Sequence, residues 1–253
     1  MQTKARFWRW SILGVGVGLG LWLCWDTITG SLGWERVGPR PGPGRQVVVL
    51  LHGHGAPADD LVGLAQKLSD DGLSATSFVM PSGPHRVGFS GRTWVPQLTA
   101  PSREELAARV KLEVADTRAK LWKLMNKLRG RGVACENLWL GGFSLGGRMA
   151  VEAALTAPAD CHLAGVIVMS GGGLDEVALP DAAAVPGMRV LVTHGSSDGV
   201  VSVGAGSSLA HALSAAGHDV RWLQFQGGHQ IPDEVRAALA AFLQGEAVGE
   251  APP

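Results

Sequence analysis

Residues Trp139 to Ala150 read WLGGFSLGGRMA, with four glycines (Gly141, Gly142, Gly146, Gly147) around one serine, Ser144. Glycine weakens strands and helices alike, so this density needs a cause. The residues before it, ENLWL, read as a strand; those after it, LGGRMAVEAAL, read as a helix. A chain that passes from strand to helix within one residue drives the side chains two positions either side against each other or the adjoining strand. Glycine at Gly142 and Gly146 removes them. Gly142-Phe143-Ser144-Leu145-Gly146 matches G-x-S-x-G, the nucleophile elbow, which presents its serine at the sheet edge. The serine then sits at a helix N-terminus, where unpaired N–H groups and the helix dipole favour negative charge. The alternative is an ordinary strand–helix turn with a capping serine. Placement between a buried strand and a helix favours the elbow.

The rest of the chain supplies the matching architecture. Gln46–Leu51 (QVVVLL) is a continuous apolar, β-branched run, the pattern of a strand buried on both faces. LSATSFVMP ends a second strand at Pro81, and LAGVIVMSG, MRVLVTHG and DVRWLQFQ supply three more. Helical spacing separates them. Ala58–Leu68 is one helix. Ser102–Arg129 is a long one, opened by the capping box Ser102-x-x-Glu105 and closed by Gly130 and Gly132. Leu145–Thr156 and Ala205–Ala216 are two more, and a last begins near Pro232. The expected class is α/β, with a mostly parallel central sheet and helices on both faces. Ligands in such sheets bind beyond the carboxyl ends of the strands.

The ends of the chain read differently. Lys4, Arg6 and Arg9 precede an uncharged apolar run, Trp10–Trp25, flanked by tryptophans. This is the pattern of a signal peptide or signal anchor over residues 1–30. As a helix the run is about 24 Å long at ~1.5 Å per residue, short against a hydrocarbon core of ~30 Å. No A-x-A site follows it, so a retained anchor is favoured over a cleaved, secreted form. The positive flank stays inside, which puts the domain outside the cytoplasm. VGPRPGPGR reads as a linker over 31–45. The hydrolytic domain is expected over 46–245 and a flexible tail over 246–253. A hydrophobic content of 46% suffices for a core, and a net charge of zero gives no case for a nucleic-acid partner. Nothing in the sequence sets the oligomeric state.

A serine hydroxyl needs a base that is itself held by an acid. The elbow order is serine, acid, histidine. Of the histidines after Ser144, His162 precedes a strand, and His211 and His218 belong to a helix and its end. His229, in FQGGHQIPDE, follows the last strand at its carboxyl end and is the candidate base. Asp198, just past the strand MRVLVTHG, is the candidate acid. Asp175 is the runner-up, with Asp181 in the same loop. His194 reads as a structural residue ending its strand. The oxyanion donors are expected at the backbone N–H of Leu145 and, in the loop LLHGHGAPADDL, of His54. His52 and His54 as metal ligands would require H-x-H-x-D-H; Ala56-Pro57 stand in the way, so no metal is expected, and His52 reads as a loop-bonding residue.

Taken together, LLHGHGAPADDL, GGFSLGGRMA, VTHGSSDGVVSV and GGHQIP, in this order, resemble the phospholipase/carboxylesterase family of α/β-hydrolases, which includes the acyl-protein thioesterases. The resemblance covers about Val47 to Leu243. It implies Ser144, Asp198 and His229 as triad, His54 and Leu145 as oxyanion donors, a small ester or acyl substrate, and no cofactor. It also implies that Trp94, in GRTWVP, faces substrate; a core tryptophan is the competing reading. SDGVVS lacks both prolines of the usual HDPVVP. An apparent anchor is also unusual for a family of mostly soluble cytoplasmic proteins. Two other functions stay open: a polymer esterase of the polyhydroxybutyrate depolymerase type, and a membrane-tethered binding protein with an inactive triad.

Of three cysteines, Cys135 and Cys161 precede two strands joined by one helix. A right-handed crossover makes those strands candidate neighbours, about 4.8 Å apart. A disulfide there is compatible with an oxidising compartment; two reduced, buried thiols are the alternative.

Overall fold

The computed structural model describes residues 32–252, apart from Ala58, Gly173, Asp175, Glu176 and Pro186. The apolar run Trp10–Trp25 therefore lies outside the described residues, and so does Asp175. No helix among the described residues is long and apolar enough to cross a membrane.

Seven strands form one sheet: β1 (Trp34–Val37), β2 (Val47–Leu51), β3 (Ser77–Pro81), then β6 (Leu138–Phe143), β7 (Gly165–Met169), β8 (Arg189–Gly195) and β9 (Asp219–Phe225), in the spatial order β1-β3-β2-β6-β7-β8-β9. All neighbours are parallel except β1, which runs antiparallel to β3. β4 (His85–Val87) and β5 (Gly91–Thr93) form a separate hairpin. The helices are α1 (Val62–Leu68), α2 (Arg103–Arg129), α3 (Leu145–Ala154), α4 (Val203–Ala215) and α5 (Asp233–Leu243).

The strand period of two divides the core cleanly. Val47, Val49 and Leu51 pack with Val114 and Leu121 of α2, Met149 of α3 and Leu209 of α4. Val48 and Leu50 pack with Ala65 and Leu68 of α1 and Leu239 and Phe242 of α5. All five β2 residues are at most 1 % exposed, which is why the run is continuously apolar rather than alternating. At the start of α2, Ser102 Oγ accepts the Glu105 N–H at 3.1 Å. The Glu105 carboxylate turns instead to Arg109, so half of the expected capping box forms.

Cys135 and Cys161 form a disulfide, with Cα atoms 5.3 Å apart. It links the entries to β6 and β7, which pair directly with Trp139 opposite Gly165. The bond therefore lies at the amino ends of the strands, away from Ser144.

Three boundary expectations change. The fold begins earlier than residue 46: Trp34–Val37 pairs with Pro81–Phe78 as an edge strand, and Leu32 is buried. The proline- and glycine-rich stretch is a packed return path from β1 to β2. Gly38, at φ +82°, fits against Thr76, whose carbonyl oxygen would lie 2.2 Å from an added Cβ. Pro39 O accepts the Ser77 hydroxyl. The tail is not loose throughout either: Glu250 exchanges two backbone hydrogen bonds of 2.8 Å with Trp222, covering part of the β9 edge.

Candidate active site

Ser144 stands between β6 and α3 at φ 55°, ψ −124°, a region non-glycine residues avoid. The bend is enforced from both sides. An added Cβ on Gly142 would lie 2.4 Å from the carbonyl carbon of Gly146, and one on Gly146 would lie 2.1 Å from Leu51 O. The Ser144 N–H is held by Met169 O at 2.9 Å, and its carbonyl accepts from Arg148 N at 3.2 Å. The backbone is fixed while Oγ makes no hydrogen bond among the described residues.

The candidate acid and base come from the loops after β8 and β9. Ser196 N and Ser197 N donate to Phe225 O and Gly227 O, both at 2.9 Å, lacing the loop after β8 to the loop after β9. An added Cβ on Gly195 would lie 2.3 Å from Gly228 O, so only glycine permits this approach. The lacing sets Asp198 Oδ2 at 2.7 Å from His229 Nδ1. Asp198 Oδ1 accepts the N–H groups of Val200 and Val201, both at 2.9 Å. The Asp198 side chain is 0 % exposed. Burial pushes its carboxyl up, but the His229 contact and the two amides together outweigh it and hold the group below the usual carboxylate range. With Nδ1 donating to the carboxylate, His229 presents Nε2 as the acceptor. The imidazole lies 4.6 Å, centroid to centroid, from the ring of Phe143, the residue before Ser144. The candidate base thus packs on the neighbour of the candidate nucleophile.

The loop after β2 approaches the same serine. An added Cβ on Gly53 would lie 3.6 Å from Ser144 Cβ. His54 follows. The N–H groups of Gly55 and Ala56 are taken by Arg92 O and Gly53 O, while that of His54 has no acceptor among the described residues. Leu145 is the first residue of α3, where a helical N–H has no intrahelical partner. Both amides are available for an oxyanion.

One expectation needs restating. Trp94 does not line an open site: it is 0 % exposed within the core. Its indole N–H donates to His52 O at 2.7 Å, and its carbonyl accepts the Thr117 hydroxyl at 2.6 Å. It braces the loop carrying His54 from behind. Asp181 uses its carboxylate to cap Ala183 N at 3.0 Å, in a turn of its own. His52 sits where its loop role requires. It is 1 % exposed, with Nε2 accepting from Gly83 N at 3.0 Å and Nδ1 at 2.8 Å from Gly53 O. Burial lowers its pKa. Among the described residues no cluster of histidine, cysteine and carboxylate side chains could hold a metal ion.

The β4–β5 hairpin was missed from sequence, because three-residue strands carry too little pattern to register. It pairs with the His54 loop through Gly55 N to Arg92 O and Arg92 N to Ala56 O, both 2.9 Å. Thr93 Oγ1 meets His54 Nδ1 at 2.9 Å. The glycines Gly83 and Gly91, each with a backbone carbonyl within 2.6 Å of an added Cβ, were its available signal.

A strained serine at a strand–helix elbow, with an Asp–His pair on the loops after the last two strands of a mostly parallel sheet, has the form of an α/β-hydrolase. The sequence matches the phospholipase/carboxylesterase family over residues 33–246, and the chain belongs to that family. It is 28% identical over 230 residues to acyl-protein thioesterase 1 of Eremothecium gossypii, covering 86% of this chain and 94% of that protein. It is also 28% identical over 135 residues to acyl-protein thioesterase 1 of Neurospora crassa, covering 51% of this chain and 54% of the relative. The chain thus spans about half the length of that relative and nearly all of the other. Among solved structures, esterase PE8 superposes with a TM-score of 0.69 at 28% identity, over 86% of this chain and 100% of that one.

Proposed function

We propose that the chain is a serine hydrolase of small carboxylic esters or thioesters, working through an acyl-enzyme. The observation that carries this is the 2.7 Å contact between buried Asp198 and His229 on the rim that holds Ser144. In this reading His229 Nε2 takes the Ser144 proton as Oγ attacks the acyl carbonyl. Asp198 orients and stabilises the imidazolium. The Leu145 and His54 amides receive the oxyanion, and the alcohol or thiol leaves with the proton from His229. Water, activated by the same imidazole, then attacks the acyl-enzyme and releases the acid. No step calls for a cofactor. The thioesterase names of the relatives support an acyl substrate without choosing oxygen or sulfur as the leaving atom. The test is labelling by a fluorophosphonate probe, with turnover of a p-nitrophenyl ester series of increasing chain length. Labelling and turnover should both vanish in Ser144→Ala. A folded wild-type protein that neither labels nor turns over would overturn the reading.

We infer further that the N-terminal apolar run tethers the domain on the non-cytoplasmic side of a membrane. The Cys135–Cys161 disulfide supports this, because such bonds persist in oxidising compartments. Fractionation of the full-length protein, with protease accessibility in intact cells, tests it. A domain found in the cytoplasm would refute it.

A further inference from the structure

The acid has a second imidazole against it. His194 lies on β8, four residues before Asp198, and its side chain is 0 % exposed. Its Nε2 is 3.0 Å from Val201 O and 3.4 Å from Asp198 Oδ2. Both neighbours are acceptors, so Nε2 carries the proton. Nδ1 is buried and has no hydrogen-bond partner among the described residues. It faces Gly206 of α4, where an added Cβ would lie 2.3 Å away. The ring is roughly parallel to the indole of Trp222, at 20° and 6.4 Å between centroids.

An unpartnered buried acceptor costs free energy. If packing were this side chain's only task, a leucine would fill the space without that cost. The identity of the residue is therefore explained by Nε2. Through it, Val201 has both backbone groups committed: its N–H to Asp198 Oδ1 at 2.9 Å and its C=O to His194. Asp198 Oδ2, the oxygen that meets His229, has His194 on its other side.

We propose that His194 is a positioning residue that acts through Asp198, closing the Asp198–Val201 turn so that Oδ2 stays aimed at His229. This rests on the triad reading above. Gly206 belongs to the same device, since any larger residue would displace the ring.

The experiment is a double-mutant cycle with Asp198, using p-nitrophenyl acetate and His194→Leu, His194→Gln and Asp198→Asn. His194→Leu should lower kcat roughly ten- to a hundred-fold, the size of one lost hydrogen bond to or beside a charged group, with KM little changed. His194→Gln, which offers an amide N–H toward Val201 O, should recover most of the loss. In the Asp198→Asn background, His194→Leu should cost less than about two-fold, because interacting residues are not additive. Equal losses in both backgrounds, no loss at all, or a folded Gln variant no better than Leu would overturn the proposal while leaving the triad intact. A fully active Asp198→Asn enzyme would overturn both. Should the Leu variant not fold, histidine nitrogen NMR of the wild-type protein decides: the expected state of His194 is the Nε2–H tautomer, and an Nδ1–H tautomer refutes the proposal.

Discussion

Asp198 and His229, 31 residues apart in sequence, meet at 2.7 Å, with the carboxylate fully shielded and the imidazole partly open. In the proposed triad, that asymmetry would let one group stay charged and hidden while the other exchanges protons with a substrate. Removing either should stop the chemistry without unfolding the chain. Ser144→Ala, Asp198→Asn and His229→Ala should each lower kcat/KM by about three orders of magnitude or more, with a residue of rate from the oxyanion donors. The check is steady-state hydrolysis of a p-nitrophenyl ester, alongside circular dichroism to verify folding. Full activity in Asp198→Asn, with loss in Asp175→Asn, would pass the acid role to the runner-up, Asp175.

Stability should report the same pair through pH. The folded Asp198 carboxyl titrates below its ordinary range. The unfolded state therefore binds its proton first as pH falls, and the stabilisation is complete above the unfolded pKa of ~3.9. It should be lost progressively as pH drops through the lower, folded value. Denaturant unfolding of wild type and Asp198→Asn should differ by a constant amount above about pH 5, with the gap closing below ~3.9. A gap that widens on acidification contradicts the sign.

The elbow glycines should tolerate nothing larger. Gly146→Ala would set a methyl group 2.1 Å from Leu51 O, and backbone cannot rotate aside as a side chain does. We expect a loss of about 3 kcal/mol or more in unfolding free energy, at the upper end for overpacking, or no soluble protein. A Gly146→Ala enzyme as stable as wild type would show that β2 and α3 can separate cheaply.

Reduction of Cys135–Cys161 should lower stability and spare catalysis. The bond closes a loop of 26 residues, for which chain entropy gives about 3 kcal/mol, less any native strain. Urea unfolding with and without reductant measures it, while kcat should change less than about two-fold because the bond lies at the opposite ends of the strands from Ser144. Thiol counting on unfolded, unreduced protein carrying a Cys24→Ser change should find none.

Truncation should be sensitive to a few residues. Deleting 1–31 leaves β1 whole, whereas deleting 1–36 removes Trp34, Glu35 and Arg36 from their pairing with Pro81, Met80 and Val79. The shorter deletion should give a stable, active enzyme, and the longer one a protein with a markedly lower Tm. Equal Tm values would make β1 dispensable.

How much of this was readable beforehand follows from where the constraints are local. The elbow was legible because four glycines around Ser144 can be explained only by crowding, and the crowding is there. β2, β6, β7 and β8 were legible because strands buried on both faces must be apolar throughout. Asp198 and His229 were named from loop position and chain order, with no sign of the lacing at Gly195 and Gly227 that brings their loops together. Trp94 was open to two readings because a tryptophan at a site and one beneath it look alike in sequence; burial alone separates them. The misplaced start of the domain has a similar cause. Trp34–Val37 is an edge strand facing partly outward, so it lacks the apolar run that marks its neighbours.

The direction of β1 has a further consequence. Because it is antiparallel to β3 and its first residue, Trp34, sits opposite Pro81, the chain enters the sheet at the ends from which the loops carrying Ser144, Asp198 and His229 depart. Gly33 O accepts from Ser82 N at 2.8 Å on that same side. A body hung by a cord is oriented by where the cord is tied. Whatever precedes Leu32 therefore joins the domain on the side that carries the candidate site. Were the chain tethered upstream of this point, as proposed above, the tether would meet the domain at the ends of the strands from which the serine is presented, and not at the disulfide-bonded ends.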